Sequence, residues 1–400
     1  MTLAAEAPRR MRFGEFIALL ALLFATVAFS IDAMLPVLGV IGGELAPLDP
    51  GRAQLVITVF VLGLGLGTFL SGPLSDRFGR KPVILTGIAI YMLAATVAAI
   101  SESLEVLLAA RFVQGLGSAA PRVVSQALVR DLYAGRQMAR VMSFAMAVFV
   151  LVPAVAPLIG AQIAAGFGWR AIFWSFLVFG LVSGTWLALR QPETLAAERR
   201  RPLRGADLWA ALREVLGNGR VRLFLAALSL SFAPMFAWLA SVALIFDETF
   251  GRGPEFPYWF ALIAVLSAPA SLLNAQLVVR LGMQRLVGWA LSAQIASAFA
   301  ILVLLQVGVV SFAVFVIFMW LQFFSIGLIF GNLNALALEP LGHVAGMAAS
   351  VMGGVSTMAA AVIATPIARA FDGTAGPLAA GAFLCSGLAL GCMALAARRG

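Results

Sequence analysis

Long apolar runs recur along the whole chain, and short polar segments separate them. The first extends from Phe16 to Val40, the second from Gln54 to Ser71 and the third from Pro82 to Ile100. Each is long enough to cross the roughly 30 Å hydrocarbon core of a bilayer as a helix. Further runs begin near Leu104, Val141, Ala171, Leu223, Tyr258, Leu286, Ser311, Met347 and Pro377. The pattern predicts an all-α polytopic membrane protein with about twelve transmembrane helices.

The composition agrees with a membrane protein, since 62% of the 400 residues are hydrophobic and only 11% are charged. A single soluble core could not hide so many apolar side chains. A net charge of +9 would suggest a nucleic-acid partner in a soluble protein, but most cations lie at alternate boundaries of the apolar runs. The positive-inside rule then places both termini in the cytoplasm. We expect lipid and a small-molecule substrate as partners, no nucleic acid, and a monomer.

A polar stretch between Gln191 and Gly219 divides the chain. We expect a cytoplasmic linker at 191–220 between an N-terminal six-helix bundle at 1–190 and a C-terminal six-helix bundle at 221–400. The two halves repeat each other in sequence. Leu74, Arg77 and Gly79 have counterparts at the same spacing in Leu277, Arg280 and Gly282. Such a parallel repeat predicts a rough two-fold axis along the membrane normal.

A charged hairpin lies between the second and third apolar runs and reads Gly-Pro-Leu-Ser-Asp-Arg-Phe-Gly-Arg-Lys from Gly72 to Lys81. We expect Pro73 and Pro82 to bracket its turn. An ordinary positively charged turn is the alternative. The hairpin resembles the loop between the second and third spans in the major facilitator superfamily of transporters. The matching positions are Gly72, Leu74, Asp76, Arg77, Gly79, Arg80 and Lys81.

That resemblance implies that the hairpin is a cytoplasmic gate. Asp76 is expected to lie close to the positive N-terminal end of the eleventh span, near Gly346. Arg77 or Arg80 would pair with Asp131 at the end of the fourth span. These contacts would hold the cytoplasmic side closed in the outward-open state and would break in each cycle.

Charged residues inside the apolar runs are candidates for function, because each is costly at mid-membrane unless it is paired or hydrated. Asp32 lies well within the first run, and Arg111 and Arg122 lie within the fourth span. We expect Asp32 and Arg111 at similar depth, about 9 to 12 Å from the outer ends of their helices, where they could share a cavity and couple to a proton. The alternatives are a static ion pair and, for Arg122, snorkelling to the inner surface.

Three further segments narrow the resemblance. The segment from Arg111 to Ala120 resembles the fourth-span motif of proton-coupled members. The segments from Ser30 to Pro36 and from Arg130 to Tyr133 resemble the Bcr/CflA drug-resistance subfamily, the bicyclomycin and chloramphenicol exporters. The fifth-span segment from Val152 to Ala161 resembles the antiporter motif. It keeps Pro157 and Gly160, includes Pro153, and has Val152, Ala156 and Ala161 where glycines are usual.

The resemblance implies proton-coupled efflux of small amphipathic drugs across the bacterial inner membrane by alternating access. A proton-linked metabolite exporter or importer of the same fold is the alternative. We expect no cofactor beyond the coupling proton and no metal. Catalysis is not expected either, because the single histidine, His343, lies in a predicted cytoplasmic loop. Candidate residues of the substrate cavity are Met34, Gln114, Arg122, Met146, Phe236, Trp238 and Gln322.

Overall fold

The computed structural model describes residues 11–200 and 205–398, without the side chains at 136, 139, 143, 146–150, 207, 208, 211 and 342–345. Throughout these ranges the chain forms helices joined by short turns, and it contains no β-strand. The predicted all-α class is therefore confirmed.

The first half of the chain contains α1 (Phe13–Asp32), α2 (Leu38–Leu45), α3 (Leu55–Phe78), α4 (Arg80–Ala99), α5 (Leu104–Leu132), α6 (Gly135–Phe167) and α7 (Arg170–Arg190). A linker helix follows, α8 (Gly205–Gly217). The second half contains α9 (Gly219–Leu244), α10 (Phe256–Ser267), α11 (Pro269–Leu281), α12 (Met283–Gln306), α13 (Phe312–Leu338), α14 (Ala345–Arg369) and α15 (Gly376–Ala397).

Two pairs of these helices, α1 with α2 and α10 with α11, each form one broken membrane span. Ten spans in the described residues are long and apolar enough to cross a bilayer by length and composition. The other two are α5, which carries Arg111 and Arg122, and α6, whose apolar segment is Leu151–Phe167. The chain is thus a multi-pass membrane protein, and the twelve predicted spans are confirmed.

Ion pairs mark the two ends of the bundle. Glu15 in the first turn of α1 lies 2.7 Å from Nε of Arg190 at the end of α7. Glu44 at the end of α2 lies 2.6 Å from Nη1 of Arg170 at the start of α7. We call the end that carries Glu15 and Arg190 the terminal face, and the end that carries Glu44 and Arg170 the distal face.

Glycines bring the backbones of α3, α4 and α5 into direct contact. A Cβ atom at Gly63 would overlap the carbonyl oxygen of Phe112, so α3 and α5 meet without an intervening side chain. A Cβ atom at Gly117 would lie 2.6 Å from the carbonyl oxygen of Gly87, so α5 and α4 meet in the same way. Small residues permit this close approach in membranes, where packing replaces the hydrophobic effect. The three helices form one tightly packed unit.

The two halves meet along two helix pairs, α3 with α14 and α6 with α10. A Cβ atom at Gly65 in α3 would lie 2.6 Å from Cγ of Met358 in α14. Nearer the terminal face, a Cβ atom at Gly72 would lie 2.5 Å from Oγ of Ser350. Helix α3 is the second span and α14 the eleventh, while α6 is the fifth and α10 belongs to the eighth. A two-fold axis relating the halves would exchange these two pairs. The bundle boundaries at 190 and 221 stay a prediction.

A proline breaks the first span between α1 and α2. Pro36 has no amide hydrogen, so it cannot donate to the carbonyl of Asp32 four residues earlier. The amide of Met34 donates to Ile31 instead of Ser30, at 3.2 Å. Two regular helix hydrogen bonds are therefore lost within one turn, and the carbonyl of Ser30 becomes available to another donor.

The charged hairpin is tighter than its sequence predicts. Pro73 lies inside α3, which continues to Phe78, and Pro82 lies in the first turn of α4. The prediction that these two prolines bracket the turn was wrong. Gly79 alone separates the two helices, with a φ of 104° that side-chain-bearing residues rarely adopt. The reversal depends on this one glycine, and the other hairpin residues are helical.

Candidate functional site

Asp32 is the last residue of α1 and lies at the break of the first span. Its side chain is 4% exposed, and no other acidic residue in the described part of the chain is as buried. It makes no hydrogen bond or ion pair with any described residue. A carboxyl group at membrane depth without a protein partner is available to bind a proton.

Arg111 lies in α5 and is completely buried. Its guanidinium donates to the carbonyl oxygens of Ser30 at 3.0 Å and Val56 at 3.2 Å, and to Oε1 of Gln114 at 2.7 Å. It also lies 4.3 Å from the centroid of the Phe60 ring. Arg111 thus donates to the Ser30 carbonyl that the break in the first span leaves free. Its hydrogen bonds connect α5 to α1 and α3.

The structure does not pair Asp32 with Arg111. Residues two apart on a helix point in nearly opposite directions, and Arg111 contacts the Ser30 side of α1. The hydroxyl of Ser30 also lies 2.7 Å from the hydroxyl of Tyr91 in α4. Asp32 lies thirteen residues before the distal end of the first span at Leu45, about 20 Å along the helix axis and deeper than predicted. The connection between Asp32 and Arg111 runs through the backbone of α1.

Gly160 of the antiporter-like segment contacts the first span directly beside Asp32. A Cβ atom at Gly160 would overlap the carbonyl oxygen of Ala33, the next residue after Asp32. Pro153 and Pro157 lie inside α6, about two turns and one turn before this contact, respectively. The structure thus brings together two segments that the sequence presents separately, and α6 itself packs against α10 of the second half.

Arg80 connects the hairpin to the end of α5. Its guanidinium lies 2.5 Å from Oδ1 of Asp76 and 3.1 Å from Oδ2 of Asp131. The pairing with Asp131 was predicted for either Arg77 or Arg80. Arg77 is exposed and makes no hydrogen bond or ion pair with another described residue, whereas Lys81 donates to the carbonyl of Ala188 in α7 at 2.7 Å.

Glu193 also contacts the hairpin, and the sequence did not identify it as a site residue. Its carboxylate accepts the backbone amides of Arg80 and Lys81, each at 3.0 Å. It also accepts the amides of Thr194 and Leu195, each at 2.8 Å. An anion at the N-terminus of α4 satisfies amides that have no helical acceptor. An acidic residue directly after the sixth apolar run was the available signal.

Four predicted cavity residues lie in closed parts of the protein. Met34 and Gln114 are completely buried, and Trp238 and Gln322 are 1% exposed. Phe236 is 9% exposed and stacks on Phe232. The side chain of Met146 lies outside the described residues. A role of these residues in substrate contact stays a prediction.

Arg122 differs from Arg111, although both lie in α5. Its side chain is half-buried, and it makes no hydrogen bond, ion pair or ring contact with a described residue. Gln126, four residues later, is exposed. Polar groups thus extend along α5 from the buried Arg111 toward the terminal face.

This combination of twelve spans, two packed halves and buried ionisable side chains defines a membrane transport protein. The family model for the Major Facilitator Superfamily matches residues 17–365. The chain belongs to that superfamily.

Curated relatives show the same family over most of the chain. A bicyclomycin resistance protein homolog of Haemophilus influenzae is 34% identical over 348 residues, which is 84% of each chain. Multidrug resistance protein MdtL of Shewanella oneidensis is 30% identical over 76% of each chain. Multidrug resistance protein D of Escherichia coli is 29% identical over 67% of this chain and 66% of the relative.

Solved structures show the same fold at lower identity. The human organic anion transporter MFSD10 matches with a TM-score of 0.72 and 19% identity, covering 97% of this chain and 100% of that one. A D-xylose–proton symporter matches with a TM-score of 0.73 and 13% identity, covering 94% and 97%.

Proposed function

We propose that this protein exports small amphipathic compounds, antibiotics among them, from the bacterial cytoplasm across the inner membrane in exchange for protons. The observation that carries the proposal is Asp32, a buried carboxyl group without a partner among the described residues. Such a group is costly at membrane depth unless the function needs it. A residue that binds and releases a proton in each cycle meets that need.

The proposal that the substrates include drugs is supported by relatives whose names state resistance to bicyclomycin and to multiple drugs. The orientation of the protein in the membrane is supported by the arginines and the lysine of the hairpin from Gly72 to Lys81, which lie on the terminal face. Such cations favour the cytoplasmic side, so we assign the terminal face and both termini to the cytoplasm.

Three successive links connect Asp32 to the interface between the halves. Asp32 precedes Ala33, and Ala33 abuts Gly160 in α6. Helix α6 packs against α10 of the second half. A change in charge at Asp32 that alters the fit of α1 on α6 therefore acts on a surface that must rearrange during alternating access.

Arg111 positions this site without pairing with the carboxyl. It holds the carbonyl of Ser30 and anchors α1 to the packed unit of α3 and α5. The end of α1 that carries Asp32 is then the part free to adjust. We propose that the hairpin, with Arg80 between Asp76 and Asp131, keeps the terminal ends of α3, α4 and α5 together while the halves move.

The test is transport of chloramphenicol in proteoliposomes under an imposed pH gradient. Asp32→Asn keeps the shape of the side chain but cannot release a proton, so gradient-driven accumulation should fall by about tenfold or more. Chloramphenicol binding should stay within about threefold of wild type, since the amide mimics the protonated acid. Glu105→Gln is the control, because Glu105 is an exposed carboxylate on the distal face.

Two results would contradict the proposal. Unchanged gradient-driven transport in Asp32→Asn would remove Asp32 from proton coupling. Failure of the wild type to move any member of a broad antibiotic panel, with metabolites transported under the same gradient, would favour metabolite transport instead.

A further inference from the structure

The guanidinium of Arg122 has no acceptor among the described residues, although it lies deep in a membrane helix. It stands ten residues before Leu132, which is about 15 Å from the terminal end of α5 along the helix axis. Arg111 in the same helix has three oxygen acceptors and an aromatic ring. Intramembrane cations are almost always paired, so a guanidinium without a partner in the described part of the structure requires an explanation.

Helix geometry places Arg122 away from lipid. Val106 and Val113 are exposed apolar residues, 45% and 42%, and mark the lipid-facing side of α5. Arg122 follows Val113 by nine residues, which is about half a turn around the helix. It follows Arg111 by eleven residues, so the two side chains leave the helix in directions about 20° apart around its axis. Arg122 therefore faces the interior of the protein, as Arg111 does, and does not reach sideways into lipid.

Two more polar side chains without a hydrogen-bond partner among the described residues lie within about one turn of Arg122. Ser125 is completely buried, and its hydroxyl has no hydrogen-bond partner among the described residues. Gln126 is exposed and likewise makes no hydrogen bond with a described residue. Residues three and four apart are neighbours on a helix surface, so the three side chains form one cluster. Gln126 is exposed and Arg122 is half-buried, so the cluster is open to a ligand on the side of these two residues, with Ser125 beneath them.

We propose that Arg122, Ser125 and Gln126 form a subsite for the anionic group of a substrate, a carboxylate in particular. The guanidinium offers two parallel donors that match a carboxylate, and the hydroxyl and the amide add further donors. The subsite rests on the proposed transport function and adds a substrate class to it. Amphipathic compounds that carry one carboxylate should bind better than their neutral amides.

The test compares acid and amide forms of the same compound. Dansylglycine and dansylglycinamide differ in charge but little in size, and binding of both can be followed by fluorescence. The full-length protein in nanodiscs of phosphatidylcholine provides a membrane without anionic lipid. The wild type should bind dansylglycine about tenfold more tightly than the amide. The naphthylacetic acid and naphthylacetamide pair provides an independent repeat by competition.

Three variants test whether the preference for the acid over the amide arises from Arg122. Arg122→Gln should remove the preference for dansylglycine and leave amide binding within about twofold, whereas Arg122→Lys should retain part of it. Arg285→Gln is the control, because Arg285 is an exposed arginine at the terminal end of α12. Thermal melting shows whether each variant is folded.

Equal affinity of the wild type for acid and amide in both pairs would overturn the subsite. An equal loss for acid and amide in a folded Arg122→Gln protein would do the same, since it would indicate a role in packing. These binding experiments need no proton gradient. A failure of proton-driven drug transport would thus overturn the proposed function while leaving an observed acid preference intact.

Discussion

Asp49 and Arg369 form an ion pair of 3.1 Å that joins the two halves at the distal face. Asp49 follows α2, and Arg369 is the last residue of α14. Both side chains are about half exposed. Exposed pairs contribute about 0 to 1 kcal/mol, which is weak enough to break in every cycle and strong enough to shift a balanced equilibrium.

Breaking this pair should open the distal face more often. In Arg369→Glu two carboxylates would oppose each other, and the open population should rise by about twofold to fivefold. A cysteine at Leu244 can report the change, because Leu244 lies against Gly39 across the halves. Its labelling by a membrane-impermeant maleimide should accelerate by the same factor in protein without the native cysteines.

A charge swap and a control complete that experiment. Asp49→Arg combined with Arg369→Asp should return labelling close to the wild-type rate. Arg52→Glu breaks a comparable distal ion pair, Arg52 with Glu105 at 3.0 Å, within the first half. Labelling that accelerates equally in Arg52→Glu would show that Asp49 and Arg369 have no special role between the halves.

Arg111 should be essential for the stability of the first half. Lysine cannot provide the forked donors that reach Ser30, Val56 and Gln114 at once. Unpaired buried acceptors cost about 1 to 3 kcal/mol each, so Arg111→Lys should lower the melting midpoint by about 5 °C or more. Arg130→Lys, at an exposed position in α5, should not. Normal melting of Arg111→Lys would leave Arg111 without this anchoring role.

Glu193 should hold the chain after α7 against the hairpin. Glu193→Ala removes the acceptor of four backbone amides, including two at the N-terminus of α4, and helix caps of this kind contribute about 0.5 to 2 kcal/mol. Trypsin should therefore cleave near Arg199 and Arg200 several times faster, by about threefold or more. The matched control is Glu198→Ala, since Glu198 is exposed and makes no hydrogen bond or ion pair in the described structure. Identical cleavage in the two variants would contradict the prediction.

Gly115 should tolerate no side chain. A Cβ atom there would overlap the carbonyl oxygen of Phe60, so Gly115→Val must separate α3 from α5. Overpacking costs about 1 to 3 kcal/mol even where side chains can yield, and backbone yields less. We expect little folded protein by fluorescence-detected size-exclusion chromatography. Gly391→Val should fold normally, because Gly391 lies in α15 with open space around it.

The sequence predicts those features that depend on hydropathy and local motif. The spans and the family follow from apolar runs and from motifs within them. The lack of an ion pair between Asp32 and Arg111 does not, because neighbouring helices decide which groups of α1 meet Arg111. Pro36 was visible, but its consequence for the carbonyl of Ser30 depends on a donor from α5.

Long-range contacts explain the other differences between the sequence predictions and the structure. Glu193 accepts two amides that lie more than a hundred residues earlier in the chain, so its position after the sixth apolar run marks it as a candidate but does not identify these partners. Pro73 is a strong turn signal in water, yet α3 continues through it to Phe78. In a membrane protein, packing against other helices and polar side chains can satisfy the backbone groups that a proline frees.

The position of Asp32 within its span also has an electrical consequence. The first span extends over 33 residues from Phe13 to Leu45, and Asp32 lies about two fifths of the way in from the distal end. A charge that crosses a whole membrane gains about 2.3 kcal/mol per 100 mV, so a proton reaching Asp32 from that side gains about 0.9 kcal/mol. Membrane voltage should therefore help load the site, and a pH jump should produce a transient current without any substrate. Asp32→Asn should abolish that current.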